Sequence, residues 1–264
     1  MLPKITSLLA ALSLAAASMA HAQAMFSIGP RVGLNIASAS YNDAATGRGG
    51  DPSFTTSYRT GFEAGATACL GFGRFAFQPS LLYSQKGFGL VTSYAWTTGN
   101  PADDKSRALD TKYRLNYLSL PLNFAYAQQD DGQGFQLFAG PYLACLLGGR
   151  YTTNITQTYV YSGAVFTGSE EGQVRGSGSE QQPDYNTYLT DDNAYSRHLD
   201  FGVQGGLGYR RGAALLQVSY SQGVSNAGVR TGYVRATTEA TTVTDPNYRN
   251  RAFQVSLAYL FGPR

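Results

Sequence analysis

The stretch that decides the fold class lies near the end of the chain and reads Phe253-Gln254-Val255-Ser256-Leu257-Ala258-Tyr259-Leu260-Phe261. Every second position carries a large apolar side chain, and the positions between them are mostly small or polar. Alternation with a period of two predicts a β-strand, because successive side chains of a strand point to opposite sides. The apolar side of this strand needs a cover, which is either a second layer of protein or the hydrocarbon of a membrane.

The same alternation recurs in seven earlier segments, and no amphipathic helix separates them. The connections alternate between long and short, beginning with a long one. Outer-membrane barrels show this asymmetry, with short periplasmic turns and long external loops. We therefore predict an all-β fold, an eight-stranded antiparallel up-and-down transmembrane β-barrel whose last strand pairs with its first. The seven earlier strands are predicted at residues 26–36, 58–70, 75–87, 113–126, 135–147, 197–209 and 213–223.

A β-sandwich is the alternative, since its interior would also cover one apolar face of each strand. A sandwich gives no reason for every long connection to lie at one end of the strands, so the connections favour lipid. Aromatic residues near strand ends, among them Phe75, Tyr113, Tyr209 and Tyr259, are expected in girdles at the membrane surfaces. Four prolines fall within predicted strands, and because proline removes a ladder donor we expect them at bulges or rims. They are Pro30, Pro79, Pro121 and Pro141.

The beginning of the chain is typical of an export signal. Lys4 precedes an apolar run that ends in Ala20-His21-Ala22, which predicts a signal peptide over residues 1–22 and a barrel domain over residues 23–264. Removing Lys4 leaves 19 of the 20 Lys and Arg residues against 17 acids, so no basic excess indicates nucleic acid. Cys69 and Cys145 lie in different predicted strands among apolar neighbours, where free thiols are expected rather than a disulfide.

Strand parity predicts a set of polar side chains that point into the barrel. An eight-stranded barrel is just wide enough to be filled by its own side chains, so a structural plug of ion pairs is expected, with Arg31 against Glu63. A narrow ion pathway is the other interpretation of the same residues. The predicted lumen cluster is Arg31, Arg59, Glu63, Lys86, His198 and Asp200.

Candidate catalytic and metal-binding residues are few. Ser196, His198 and Asp200 are the residue types of an acyl-transfer triad, and such chemistry would suit a lipid-modifying barrel enzyme. Residues that alternate along one strand share a face instead of converging on a substrate, and no oxyanion-hole signal accompanies them. The oxygen-bearing residues Asp191-Asp192-Asn193 lack the spacing of a calcium loop, and no glycine-rich segment precedes a helix as in a nucleotide site. We therefore predict no catalysis, no cofactor and no metal site.

Four segments in a fixed order resemble a known family: residues 78–87, 116–122, 139–142 and 253–262. Together they resemble the PorT-like small outer-membrane β-barrel proteins of Bacteroidetes, and the resemblance covers nearly all of the chain after the predicted signal peptide. It implies an outer-membrane location and, for a few members, a part in protein secretion. That role belongs to particular members and is not extended to this chain.

The longest insertion, residues 148–196, is rich in Thr, Tyr, Gly and Ser and is predicted to be a surface loop, with a strand extension over residues 151–165 as the alternative. Such a loop is suited to an envelope protein, a glycan or lipopolysaccharide. The sequence thus predicts a monomeric outer-membrane barrel with a structural or partner-binding role in the cell envelope, whose partners include outer-membrane lipid but no nucleic acid. A narrow porin-like channel and a lipid-modifying enzyme are the alternatives.

Overall fold

The computed structural model of the protein describes residues 25–43, 53–96, 100, 102–177, 193–229, 231–234, 241–244 and 246–262. The predicted signal peptide, residues 1–22, lies outside these residues. Among the residues described, no helix is long and apolar enough to cross a membrane. The strands are β1 (Met25–Asp43), β2 (Ser53–Phe72), β3 (Phe75–Trp96), β4 (Lys105–Ala127), β5 (Gly134–Tyr159), β6 (Val165–Ser177), β7 (Ala194–Arg197), β8 (Leu199–Arg211), β9 (Ala214–Gly223), β10 (Thr231–Val234), β11 (Thr241–Thr244) and β12 (Pro246–Tyr259).

Eight strands form a closed antiparallel ring in the order β1, β2, β3, β4, β5, β8, β9 and β12. The ring is closed by the pairing of β12 with β1, which runs from Arg31 opposite Ala258 to Asp43 opposite Pro246. Strand β6 pairs with the far end of β5, and β7 pairs in parallel with β6. Strands β10 and β11 form a separate hairpin. The predicted eight-stranded up-and-down barrel, closed by its last strand, is confirmed.

A belt of exposed apolar side chains surrounds the ring. On β12, Phe253, Val255 and Leu257 are each about half exposed, and on β1 Leu34 is 68% exposed. Water-soluble proteins rarely expose contiguous apolar patches beyond a few hundred Å². Aromatic pairs border the belt on the side of the short turns, as predicted for a membrane girdle: Phe75 with Tyr126, Phe135 with Tyr209, and Tyr259 with Phe261. The belt is therefore the surface that contacts acyl chains.

Several strands continue far beyond the belt on the side of the long connections. Strand β3 runs to Trp96, β4 begins at Lys105, and β5 runs to Tyr159. Much of what we predicted as loop in residues 89–112 and 148–177 is therefore strand, and residues 178–192 lie outside the described part. These extensions, with β6 and the start of β2, form a sheet that projects from the membrane.

Both faces of the wall change polarity where the strands leave the membrane, and β4 shows this most clearly. Within the belt, Leu120 is exposed on the outside while Asn123 is buried inside. Farther along the same strand, the outside carries exposed Lys112 and Arg114, and Leu115 is buried inside. Outside the bilayer the wall follows the rule for soluble proteins, with apolar side chains inside and charges in water. Polar outward residues are also typical of loops, which is why the sequence predicts a loop over residues 89–112 and gives a strand only as the alternative over residues 151–165.

The prediction of bulges or rims is wrong for Pro79, Pro121 and Pro141, which lie within ladders of unchanged register. Pro30 directly precedes Arg31, where the continuous ladder of β1 with β12 begins, and lies near the rim on the side of the short turns. Between β4 and β5, Pro121 pairs with Tyr142 and Phe124 pairs with Ala139, so only the pairs between them are absent. The residue numbers advance equally on both strands, which means that the register is unchanged. Pro79 interrupts the pairing of β2 with β3 in the same way. Each proline removes ladder contacts locally while the alternation of faces continues.

Two of the prolines follow a glycine whose partner strand comes unusually close. A Cβ atom added to Gly29 would lie 1.7 Å from the carbonyl oxygen of Tyr259, and one added to Gly140 would lie 2.0 Å from that of Leu122. No side chain tolerates such a contact with backbone, so only glycine allows this approach.

The Gly140→Ala variant is expected to lower the free energy of unfolding by about 1–3 kcal/mol, as other overpacked sites do. The measurement is urea unfolding in lipid vesicles, followed by the heat-dependent shift in gel mobility of the folded barrel. Gly205→Ala on the neighbouring β8 is the matched control, because its added Cβ would lie 3.4 Å from the nearest atom. Equal unfolding midpoints for the two variants would contradict the close-approach argument.

Candidate functional site

The centre of the barrel is occupied by a buried ion pair between β1 and β2. Arg31 Nε and Nη2 donate to Glu63 Oε1 at 3.2 and 3.1 Å, and Arg31 Nη1 donates to Gln217 Oε1 at 3.0 Å. Gln254 Nε2 donates to Glu63 Oε2 at 3.3 Å. The side chains of Arg31 and Glu63 are 3% and 1% exposed. The pairing of Arg31 with Glu63 that strand parity indicated is present, and both ions have further partners.

A line of side-chain amides leads from this pair toward the short turns. Gln217 Nε2 donates to Gln78 Oε1 at 2.9 Å, and Gln78 Nε2 donates to Gln136 Oε1 at 3.0 Å. Beside this line, Gln204 Nε2 donates to Asn123 Oδ1 at 2.9 Å. The amides come from five strands, so their hydrogen bonds cross-link the barrel between the ion pair and the short turns. Strand parity places Gln78, Gln136 and Gln204 on the inner face, but the predicted lumen cluster contains only ionisable residues and so leaves them out.

A second charged layer lies between the ion pair and the long connections. The Lys86 ammonium is 4.7 Å from the ring centroid of Tyr142 and 5.6 Å from that of Tyr117, within range of cation–π attraction. Asp200 is fully buried and accepts hydrogen bonds from Tyr142 Oη at 3.3 Å, Asn250 Nδ2 at 3.0 Å and Ser225 Oγ at 3.0 Å. The two buried cations, Arg31 and Lys86, thus balance the two buried carboxylates, Glu63 and Asp200.

An apolar cap, made of the aromatic and aliphatic side chains above Lys86, closes the interior on the side of the long connections. Phe88 packs against Tyr113 and Tyr248 with ring centroids 4.8 and 5.3 Å apart. Tyr113 thus belongs to the cap and not to the outer girdle in which we had expected it. The buried members of the cap are Ala39, Phe88, Leu90, Leu115, Tyr117, Tyr142, Ala144, Leu146, Val174, Ala227 and Tyr248.

The space left between the polar plug and the apolar cap is very small. The cavity bounded by Arg31, Glu63, Lys86 and Tyr142 has a volume of about 10 Å³. A volume of this size corresponds to a single water molecule at most. The middle of the described barrel is therefore filled, while a cavity of about 220 Å³, lined by Ser27, Cys69, Ala76 and Gln136, lies at the end of the short turns.

The structure brings together four of the six predicted lumen residues and leaves two outside the cluster. Arg59 is half-buried and lies within the register shift between Tyr58 and Glu63, outside the hydrogen-bond network of the plug. His198 is exposed and lies beside Gly176 of β6, so its predicted place in the lumen is wrong. The chain bends at His198 between β7 and β8, and the bend interrupts the alternation on which parity depends.

Ser196, His198 and Asp200 do not form a connected set. Ser196 Oγ donates to the carbonyl oxygen of Ala227 at 3.1 Å and accepts from Tyr248 Oη at 2.7 Å. Within the described residues, no three His, Cys, Asp or Glu side chains are grouped so that they could hold a metal ion. Cys69 is buried, Cys145 is half-buried, and both are free thiols, which agrees with the sequence prediction.

Comparison with known proteins identifies the family. Residues 17–229 match the family model described as the outer membrane protein beta-barrel domain. Similar solved structures include the outer membrane protein OprG from Pseudomonas aeruginosa, which is 11% identical over 93% of this chain and 99% of that chain, with a TM-score of 0.40. Neisserial surface protein A is 12% identical over 89% of this chain and 97% of that chain, with a TM-score of 0.29. No curated protein matches the sequence. Because the family match spans most of the chain, the protein belongs to the outer membrane protein beta-barrel domain family and is located in the outer membrane.

Proposed function

We propose that this protein is a non-conducting and non-catalytic barrel with a structural or partner-binding role in the cell envelope. The observation that carries the proposal is the filled interior, in which a hydrogen-bonded plug around Arg31 and Glu63 lies beneath the apolar cap around Phe88. An ion that crosses a channel needs water or polar groups along its path. The polar groups of this plug are hydrogen-bonded to one another instead. The barrel then acts as an anchor, and interaction with other molecules takes place outside it.

The projecting sheet of β3, β4 and β5 supplies a surface for such an interaction. A shallow groove crosses these three strands, and hydroxyl groups dominate its lining. Serine, threonine and tyrosine side chains form adaptable hydrogen bonds with proteins and glycans. We propose an envelope protein or a glycan as the partner of this surface and a monomer as the state of the barrel. The groove is lined by Ser93, Tyr94, Ala95, Ser106, Arg107, Ala108, Thr156 and Thr158.

The finer assignment to the PorT-like group of Bacteroidetes is part of the same proposal. The segments that carry this resemblance fall on β3, at the middle of β4, on β5 and at the end of β12. Residues 116–122 include Tyr117 and Ser119, which face the interior, so this segment contributes to the plug and the cap. The resemblance therefore lies in strands that fill the barrel and not in the projecting surface.

The protein is expected to give no single-channel current steps in planar bilayers, because the interior leaves no continuous space for ions. Insertion is checked in parallel by the heat-dependent gel shift of the protein recovered from the same lipid. Current steps whose size changes in Arg31→Ala or Glu63→Ala would overturn the proposal in favour of a narrow channel. Current steps of the same size in the unaltered protein and in both variants would come from a path outside the lumen. They would not contradict the proposal that the barrel is filled.

A further inference from the structure

Two arginines face outward directly above the apolar belt. Arg114 of β4 and Arg150 of β5 stand opposite each other in the antiparallel pairing, and both are exposed. Below them on the same outer face are Leu118 and Leu147, which are 42% and 58% exposed. The two guanidinium groups therefore leave the wall at the level where hydrocarbon ends and lipid headgroups begin.

The arrangement of charge around these arginines is unusual. Like charges directly opposite each other on one face of a sheet destabilise it. Across the neighbouring strands, Arg114 stands opposite Gly87 of β3 and Arg150 stands opposite Gln173 of β6, so these four residues form one row across the sheet. Neither Gly87 nor Gln173 carries a charge. Within the described part of the chain, neither arginine takes part in a salt bridge or a side-chain hydrogen bond. Glu171 is the acid of β6 on this face, and it lies one row farther from the membrane, opposite Thr152.

Two other cations of the described surface do have a carboxylate partner. At the short turns, Arg74 donates a hydrogen bond from Nε to Asp130 and thus has a carboxylate partner. Lys112, the next outward cation on β4, has Asp110 at 4.0 Å. The guanidinium groups of Arg114 and Arg150 instead stand side by side without a negatively charged partner. Binding of an external anion would relieve the repulsion between them.

We propose that Arg114 and Arg150 bind the phosphate group of a lipid in the outer leaflet of the outer membrane. Guanidinium groups suit phosphate because their planar forks donate two parallel hydrogen bonds to its oxygens. The lipid source follows from the position of the pair: a phosphate held there is attached to acyl chains that extend past Asn116 to Leu118 and Leu147 farther down the same outer face. Free phosphate has no such second contact. The site is distinct from the lumen and from the groove on the projecting sheet.

The test measures binding of diphosphorylated lipid A to the full barrel in dodecyl maltoside micelles, by native mass spectrometry and by the shift in unfolding temperature. The double variant Arg114→Gln with Arg150→Gln is expected to bind roughly tenfold more weakly or worse, since each basic residue at a membrane surface adds to affinity for anionic lipid. Arg74→Gln is the matched control and should bind as the unaltered protein does. Removing the phosphates from lipid A should weaken its binding to the unaltered protein. The loss of affinity should equal the loss that the double variant shows with diphosphorylated lipid A.

Two further measurements separate phosphate binding from a structural role. The Arg150→Glu variant places opposite charges across the same row, so it should be at least as stable as the unaltered barrel without lipid A and yet lose binding. Inorganic phosphate alone, titrated to millimolar concentration, should leave the unfolding temperature unchanged. The proposal is overturned if the double variant binds lipid A with unaltered affinity, if dephosphorylated lipid A binds equally well, or if inorganic phosphate stabilises the protein as much as lipid A does.

Discussion

Leu120→Arg is expected to abolish stable insertion of the barrel. Leu120 lies on the outer face of β4 within the apolar belt, opposite Leu143 of β5, and both side chains are exposed to acyl chains. An arginine facing lipid near the middle of the bilayer costs a transmembrane barrel about 2–4 kcal/mol. Such a loss is a large fraction of the stability of an ordinary domain. The folded fraction in phospholipid vesicles, read from heat-dependent gel mobility, should fall sharply.

Ser106→Arg provides the matched control for this experiment. Ser106 is exposed on the same outer face of the same strand, but it lies in the projecting sheet where the neighbouring outward side chains are polar. The same substitution should be nearly neutral there, because the added charge stays in water. The lipid assignment of the belt fails if the two variants fold equally well, or if the protein without residues 1–22 dissolves as a compact monomer without detergent.

Glu63→Gln is expected to destabilise the folded barrel by about 3–5 kcal/mol, because removing one member of a buried ion pair leaves an uncompensated charge. The variant keeps the size of the side chain and an oxygen that can still accept from Arg31, so the loss of charge is isolated from a loss of packing. Adding Arg31→Met to Glu63→Gln should restore part of the stability, since both charges are then absent. Urea unfolding in vesicles measures all three proteins.

The exposed pair of Arg74 and Asp130 serves as the comparison, and Asp130→Asn should change the unfolding midpoint little because water screens both groups. If Glu63→Gln proved as harmless as Asp130→Asn, Arg31 would have access to water inside the barrel. The filled interior would then be wrong, and the narrow channel would become the better interpretation.

The ring itself follows from the sequence because alternation and the lengths of connections are both local signals. Residues 253–261 predict a strand with one apolar face, and no feature of the remaining chain offers that face a protein cover. Parity also places Arg31, Glu63, Lys86 and Asp200 inside, since no bend or register shift separates these residues from the regular part of their strands. Within regular strands, a period of two is sufficient to assign a side chain to the lumen.

The position of His198, the projecting strands and the apolar cap cannot be predicted from an alternation of period two. His198 lies at a bend next to β7, which pairs in parallel with β6, and neither the bend nor the parallel pairing has a local sequence pattern that predicts it. The projecting strands were missed because polar outward residues such as Lys112 have the same composition as a loop. The apolar cap requires knowledge of where the bilayer ends, because Phe88 and Leu115 break the small and polar pattern of the inner face only beyond that level.

The hydrogen bonds of Arg31 have a consequence for biogenesis. Its acceptors, Glu63 on β2 and Gln217 on β9, lie on opposite sides of the seam where β1 meets β12. The guanidinium therefore has its full set of acceptors only after the first and last portions of the polypeptide have come together. A truncated or partly inserted chain keeps the pair of Arg31 with Glu63 but lacks the acceptor from β9, so one buried donor of the guanidinium stays unsatisfied and the incomplete product is less stable than the closed barrel.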